Sequence, residues 1–252
     1  MFVMVTLEHG EVLAEVAPAR GALVTRLRVG DREVLYLDRA TLDDPSKNVR
    51  GGVPLLFPFA GKLADDTLTL TGTKMKQHGF ARDRAWTVSE SEPTRVRMTL
   101  RADEATQAQY PFDFVLHHEV RVVPRGLQLA LTVVAGDDDL PVAPGWHPYF
   151  ALAREDKLRV AGDGVTASQC YDDREFDFGL VAPLDGRSRF ERPSILLEAS
   201  PDMRHLHFWS LPEKPFLCIE PFYGPMGTLN TDARGWVKAG TARTFWMRMT
   251  VP

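Results

Sequence analysis

The sequence predicts one all-β domain, an antiparallel assembly of many short strands closed as a sandwich or barrel. Three observations carry that expectation. Apolar and polar residues alternate in short runs, the period-two pattern of half-buried strands. Turn signals recur about every 8–12 residues, the spacing of sandwiches and barrels. Helical periodicity is nearly absent, and no repeat, low-complexity tract or long linker divides the chain, so residues 1–252 are expected to form a single domain.

The strands follow in order. Runs at 4–7 and 11–16 flank His9-Gly10, and runs at 22–29 and 33–37 flank Gly30-Asp31, where glycine admits the positive φ of a hairpin turn. Residues 95–100 form the next strand, and 102–110 a turn or two of helix before Pro111. Strands at 114–123 and 127–134 are joined by the turn Pro124-Arg125-Gly126, and strands at 205–209, 216–220 and 244–251 complete the set. Two connectors, 48–63 and 140–150, are too long and too rich in Gly, Pro and aromatics to be plain links.

Composition narrows the function. Hydrophobic residues make up 44% of the chain and charged residues 25%, which suits an ordinary soluble core. A net charge of −4 with dispersed basic residues argues against a nucleic-acid partner. No apolar run approaches the ~20 residues that cross a bilayer, so no membrane partner is expected. The N-terminal residues lack the pattern of a secretory leader. The chain therefore reads as cytoplasmic, with Cys170 and Cys218 as reduced thiols.

Four segments concentrate residue types that do chemistry. In Arg50-Gly51-Gly52-Val53-Pro54, paired glycines let the backbone approach another group closely. An irregular strand entry beside an exposed arginine gives the same pattern. In Gln77-His78-Gly79-Phe80-Ala81-Arg82, a histidine and an arginine flank an aromatic ring, a surface suited to a polyol. A surface loop with an Arg82–Asp83 or Arg84–Asp83 ion pair is the plainer alternative. In Gly145-Trp146-His147-Pro148-Tyr149-Phe150, Pro148 pushes His147 towards extended geometry. A histidine so held is a packing residue, a metal ligand or a proton donor. Finally, Phe216-Leu217-Cys218-Ile219 is apolar on both faces and ends in Glu220. A buried carboxylate needs a partner, a raised pKa or a ligand-facing position, and an arginine ion pair would also satisfy it. His205 and His207 share a strand face and, with His147 and Glu220, could surround a metal. No glycine-rich phosphate loop or Gly-x-Ser-x-Gly elbow is present.

Taken in this order, RGGVPLLFPFAG (50–61), QHGFARDRAW (77–86), YPFDF (110–114), GWHPYF (145–150), PFLCIEPFYG (215–224) and LNT (229–231) resemble the aldose 1-epimerase, or galactose mutarotase-like, family. The resemblance runs from about Gly21 to the C-terminal strand. It implies a large antiparallel β-sandwich, the galactose mutarotase-like supersandwich. It also implies interconversion of the α and β anomers of a hexose, free or phosphorylated. Carried over residue by residue, it implies that His147 is the general acid and Glu220 the general base, that His78 holds the sugar, and that Arg50 and Arg82 line the pocket. The sequence departs from the best-studied galactose mutarotases, which carry an Asn shortly before the catalytic histidine where this chain reads Pro-Val-Ala-Pro-Gly-Trp, and Pro221 follows the glutamate. The HGFAR segment is closer to a bacterial mutarotase-like branch, and RGG with HGFAR is similar to hexose-6-phosphate mutarotases, so galactose specificity does not transfer. A non-catalytic sugar-binding or regulatory module of the same fold is the alternative, and the sequence leaves oligomeric state open.

That reaction opens the hemiacetal ring, rotates about C1–C2 and closes again. One group takes the proton of the anomeric hydroxyl while another donates to the ring oxygen. No hydride moves and no carbon–carbon bond breaks, so neither cofactor nor metal is expected. A carboxylate beside His147 is expected to raise the imidazole pKa. Trp146, Tyr149, Phe150 and Phe222 are expected to stack on the sugar, and Arg50, Lys62, Arg82 and Arg84 are the cations available for a phosphate.

Overall fold

In the computed structural model, residues 3–165 and 169–252 are described. An eight-stranded antiparallel sheet runs in the order Ala161–Gly162, Arg187–Arg192, Ile195–Ala199, Ala242–Thr250, Gly126–Ala135, Phe114–Val123, Arg95–Arg101 and Thr87–Glu92. Its central strands alternate as their sequence demands. Phe114, Leu116, His118, Val120 and Val122 point inward from one strand, and Leu127, Leu129, Leu131 and Val133 from its neighbour. An N-terminal sheet of Val5–His9, Val12–Ala17, Leu23–Val29 and Arg32–Glu33 lies against it. Leu7, Val16 and Leu27 from the smaller sheet share one core with Val96, Leu116 and Leu129 from the larger. The result is the expected β-sandwich.

A third sheet of six strands carries the chemistry-bearing segments. Its chain of neighbours is Phe176–Val181, His205–Ser210, Phe216–Phe222, Gly145–Trp146 and Leu55–Leu56, and Tyr149–Ala151 also pairs with Phe216–Phe222. Every residue of Phe216–Phe222 is buried. This is what an apolar run without alternation predicts for a strand covered on both faces.

The structure differs from the sequence reading where prolines and charges hide strands. The connectors 48–63 and 140–150 are not open loops. They contain Leu55–Leu56, Leu140–Val142, Gly145–Trp146 and Tyr149–Ala151. Prolines at 54, 58, 144 and 148 interrupt the ladder too often for any run to look like a strand. Backbone bonds nevertheless continue, as from Ala60 N–H to the Ala143 carbonyl (2.9 Å) and from Ala143 N–H to the Pro58 carbonyl (2.8 Å). The strand expected at 33–37 is only Arg32–Glu33, followed by isolated bridges at Leu35 and Leu37. Thr87–Glu92, Phe176–Val181, Arg187–Arg192 and Ile195–Ala199 form strands that the pattern did not reveal, and the first is exposed throughout. The short helix is Glu104–Gln107, closed by a reciprocal cap between Asp103 and Thr106. Cys170 and Cys218 are both free and buried. Among the described residues no helix is long and apolar enough to cross a membrane.

Candidate active site

Glu220 sits near the end of the fully buried Phe216–Phe222 strand, on the same face as Phe216, Cys218 and Phe222. His147 lies between Gly145–Trp146 and Tyr149–Ala151, both of which pair with that strand. Its backbone N–H is tied to the Pro54 carbonyl at 3.0 Å. The two side chains meet: His147 Nε2 stands 3.5 Å from Glu220 Oε2. Both line a cavity of about 320 Å³, a volume in the range of small-molecule sites. His147 is 6% exposed and Glu220 1%.

Burial dominates the electrostatics of the pair. It pushes the His147 imidazole well below its ordinary range, and the nearby Arg82 guanidinium adds to the effect. It pushes the Glu220 carboxyl well above its ordinary range, with the Asp177 carboxylate acting in the same direction. This corrects the expectation that a neighbouring carboxylate would raise the His147 pKa. Desolvation of a fully enclosed imidazole outweighs one neighbour. Burial thus favours the neutral form of both partners, the protonated carboxyl and the unprotonated imidazole. Among the described residues neither Glu220 oxygen has a hydrogen-bond partner.

His78 joins the same cavity, its ring edge-on to His147 at a centroid distance of 5.5 Å. The turn that presents it is unusual: His78 has φ +69° and Gly79 φ +68°. A β-carbon on Gly79 would lie 2.2 Å from the Phe57 carbonyl oxygen, so only glycine fits there. Two bonds to Gly61 hold His78 in place: His78 N–H donates to the Gly61 carbonyl (2.8 Å), and Gly61 N–H donates to His78 Nδ1 (3.0 Å). With Nδ1 accepting, the neutral ring carries its proton on Nε2 and is a donor there. Arg82, on the 3₁₀ turn Ala81–Asp83, reaches the cavity while donating to the Gln77 carbonyl at 3.1 Å. Arg50 also lines it, with its guanidinium 5.3 Å from the Trp209 ring centre. The Gly51-Gly52 pair makes the close approach its composition suggests. A β-carbon on Gly52 would lie 2.2 Å from the Val24 carbonyl oxygen.

The structure thus brings together all five residues His147, Glu220, His78, Arg50 and Arg82, with Lys62 beside them. Arg84 does not join. It pairs with Asp103 and does not line the cavity. Among the aromatics, Tyr149 lines the cavity and stacks on His147 at 4.7 Å, but Trp146 and Phe150 are core residues with no exposed surface. Phe222 lies behind His207, parallel to it at 5.4 Å. Trp209, whose indole N–H donates to Glu175 at 2.7 Å, supplies the aromatic wall instead.

Asp177 and His207 also line the cavity, with His207 Nε2 2.6 Å from Asp177 Oδ1. His207 is the cross-strand neighbour of Glu220. The metal arrangement considered for His205 and His207 does not form. Among the described residues, the group with metal-ligand spacing is His147, Cys218 and Glu220, and it includes neither.

A family profile described as aldose 1-epimerase matches residues 3–201. A curated protein of Salmonella typhimurium named "Putative glucose-6-phosphate 1-epimerase" is 28% identical over 165 residues, a match that takes in 64% of this chain and 52% of that protein. The chain spans about half the length of the curated relatives it matches. Among solved structures, the Slr1438 protein from Synechocystis sp. PCC 6803 superimposes with a TM-score of 0.91 at 29% identity, over 99% of this chain and 96% of that one. A galactose mutarotase related enzyme from Lactobacillus acidophilus gives a TM-score of 0.77 at 20% identity, over 98% and 97% of the two chains, a likeness of fold alone.

Proposed function

The chain belongs to the aldose 1-epimerase family, and from that premise we propose that it is a mutarotase that exchanges the α and β anomers of a hexose by general acid–base catalysis. The observation that carries the reading is the buried His147–Glu220 pair, 3.5 Å apart at the wall of a sugar-sized cavity. One proton shared by two groups is what the reaction needs. In the productive form Glu220 is the carboxylate that takes the proton of the anomeric hydroxyl, and His147 is the imidazolium that donates to the ring oxygen. Burial favours the neutral pair, and transfer of a carboxyl proton to the imidazole creates both groups at once. After the open chain turns about C1–C2 the roles reverse, and the pair returns to its starting state with no net proton gained. His78 Nε2–H, Asp177 and the arginines bind hydroxyls, and Trp209 forms the aromatic wall for the sugar C–H groups.

A phosphorylated hexose is the substrate favoured by the cavity's cations. Arg50, Lys62 and Arg82 all line it, and guanidinium groups suit phosphate oxygens. The name carried by the curated relatives points the same way.

Saturation-transfer NMR on anomeric protons tests both parts, run with glucose, galactose and glucose 6-phosphate. The expected result is accelerated exchange, fastest with glucose 6-phosphate. His147→Ala and Glu220→Gln should each lose about 10²–10⁴ in rate while keeping the fold. Full activity in either variant removes that residue's role. Sugar binding without acceleration by the unmodified protein would make this a binding module.

A further inference from the structure

Directly beside the acid–base pair lies a thiol that anomerisation does not use. Cys218 is two residues from Glu220 on the Phe216–Phe222 strand and shares its face. It is fully buried and free of any disulfide. One donor atom from each of His147, Cys218 and Glu220 lies within 4.8 Å of the other two. The His147 Nε2–Glu220 Oε2 separation of 3.5 Å already matches the edge of a tetrahedral zinc site, which bonds of about 2.0–2.3 Å set at roughly 3.5 Å. The Cys218 thiol, within 4.8 Å of both, would have to move inward to complete the site. Neither Glu220 oxygen has a hydrogen-bond partner among the described residues, so the carboxyl is available as a ligand.

We propose that His147, Cys218 and Glu220 form an inhibitory site for a thiophilic divalent cation of the Zn²⁺ type, which captures the acid–base pair and displaces the sugar. The inhibition rests on the mutarotase reading; the binding does not. A thiolate, an imidazole and a carboxylate select zinc over Mg²⁺ or Ca²⁺, which prefer all-oxygen sites. Binding sends the thiol proton, and any proton held by the carboxyl or the imidazole's metal-binding nitrogen, to solvent. The product is a thiolate, a carboxylate and a neutral imidazole around the dication, so the charges of the ligands cancel that of the metal. Three protein donors leave the fourth tetrahedral position for water from the cavity side.

Cobalt is the spectroscopic probe. The intact protein is titrated with Co²⁺ and followed by thiolate-to-cobalt charge-transfer absorption, then with Zn²⁺ in competition. One equivalent of Co²⁺ should give the thiolate band, and Zn²⁺ should displace it. Cys218→Ala should abolish the band, while His147→Ala and Glu220→Gln should each weaken Zn²⁺ by at least about tenfold. In the activity assay, Zn²⁺ should inhibit reversibly by chelator, and Cys218→Ala should tolerate at least about tenfold more of it. If Cys218→Ala folds poorly, Cys218→Ser serves for the band. A Co²⁺ complex without the band, or equal Zn²⁺ sensitivity with and without the thiol, overturns the site. A normal band in a protein with no anomer exchange overturns the function and leaves the site standing.

Discussion

His118 gives the sharpest energetic test of the fold. It faces inward from the Phe114–Val123 strand, fully buried, with its ring edge-on to Trp86 at 6.0 Å. Neither ring nitrogen has a hydrogen-bond partner among the described residues, and burial pushes its pKa down to about 3. The unfolded chain binds a proton at this residue below about pH 6.5, whereas the folded protein does not until near pH 3. Stability is therefore intact above about pH 6.5 and is lost as the pH falls towards 3. At about pH 5 the loss depends only on the unfolded pKa, because the folded one lies far below, and comes to about 2 kcal/mol. His118→Leu, of similar size and without the two polar atoms, should abolish that loss. Urea unfolding of both proteins at about pH 7.5 and about pH 5 is the measurement. The wild type should lose about 2 kcal/mol more than the variant over that interval. His78, His147, His205 and His207, also depressed by burial, contribute equally to both and cancel. Identical acid sensitivity in the two proteins would refute the reasoning.

Arg82→Gln should raise KM for glucose 6-phosphate by roughly 10- to 100-fold, the cost of a hydrogen bond to a charged group, and should affect KM for glucose less. Equal effects on both sugars would remove the phosphate from that part of the cavity. Trp209→Ala should raise KM while leaving kcat within a few-fold, because the indole shapes the wall without exchanging a proton; a collapse of kcat alone would contradict that. Gly52→Ala should lower Tm by several degrees. The residue has φ +67° and its β-carbon would meet the Val24 carbonyl at 2.2 Å, a conflict costing more than about 1 kcal/mol. An unchanged melting curve would show that the Gly51-Gly52 segment yields more easily than its contacts imply.

Strands with one wet face were legible, because Phe114–Val123 and Gly126–Ala135 alternate cleanly. Thr87–Glu92 was not, since an edge strand exposed on both faces carries no alternation. His147 and Glu220 stood out as single titratable groups in apolar surroundings, a contrast written locally in the chain. Asp177 did not, because its significance comes from pairing with His207 across two strands that only the sheet brings together. Arg82 and Arg84 look alike in sequence; the tight turn at Ala81–Asp83 carries one to the cavity and leaves the other with Asp103. The His147 shift runs opposite to the sequence expectation for a related reason. A sequence names a neighbour but does not tell how thoroughly water is excluded.

One strand, Phe216–Phe222, bears Glu220 and is laced to both segments that flank His147. The two ends of the proposed proton relay are therefore tied to a single plank, and their spacing cannot drift without breaking its ladder. Arg50, Lys62 and Arg82 come from segments outside that strand and its paired neighbours. On the proposed function, substitutions among them can change which sugar is admitted while the reach between donor and acceptor stays fixed, so selectivity and chemistry can evolve separately.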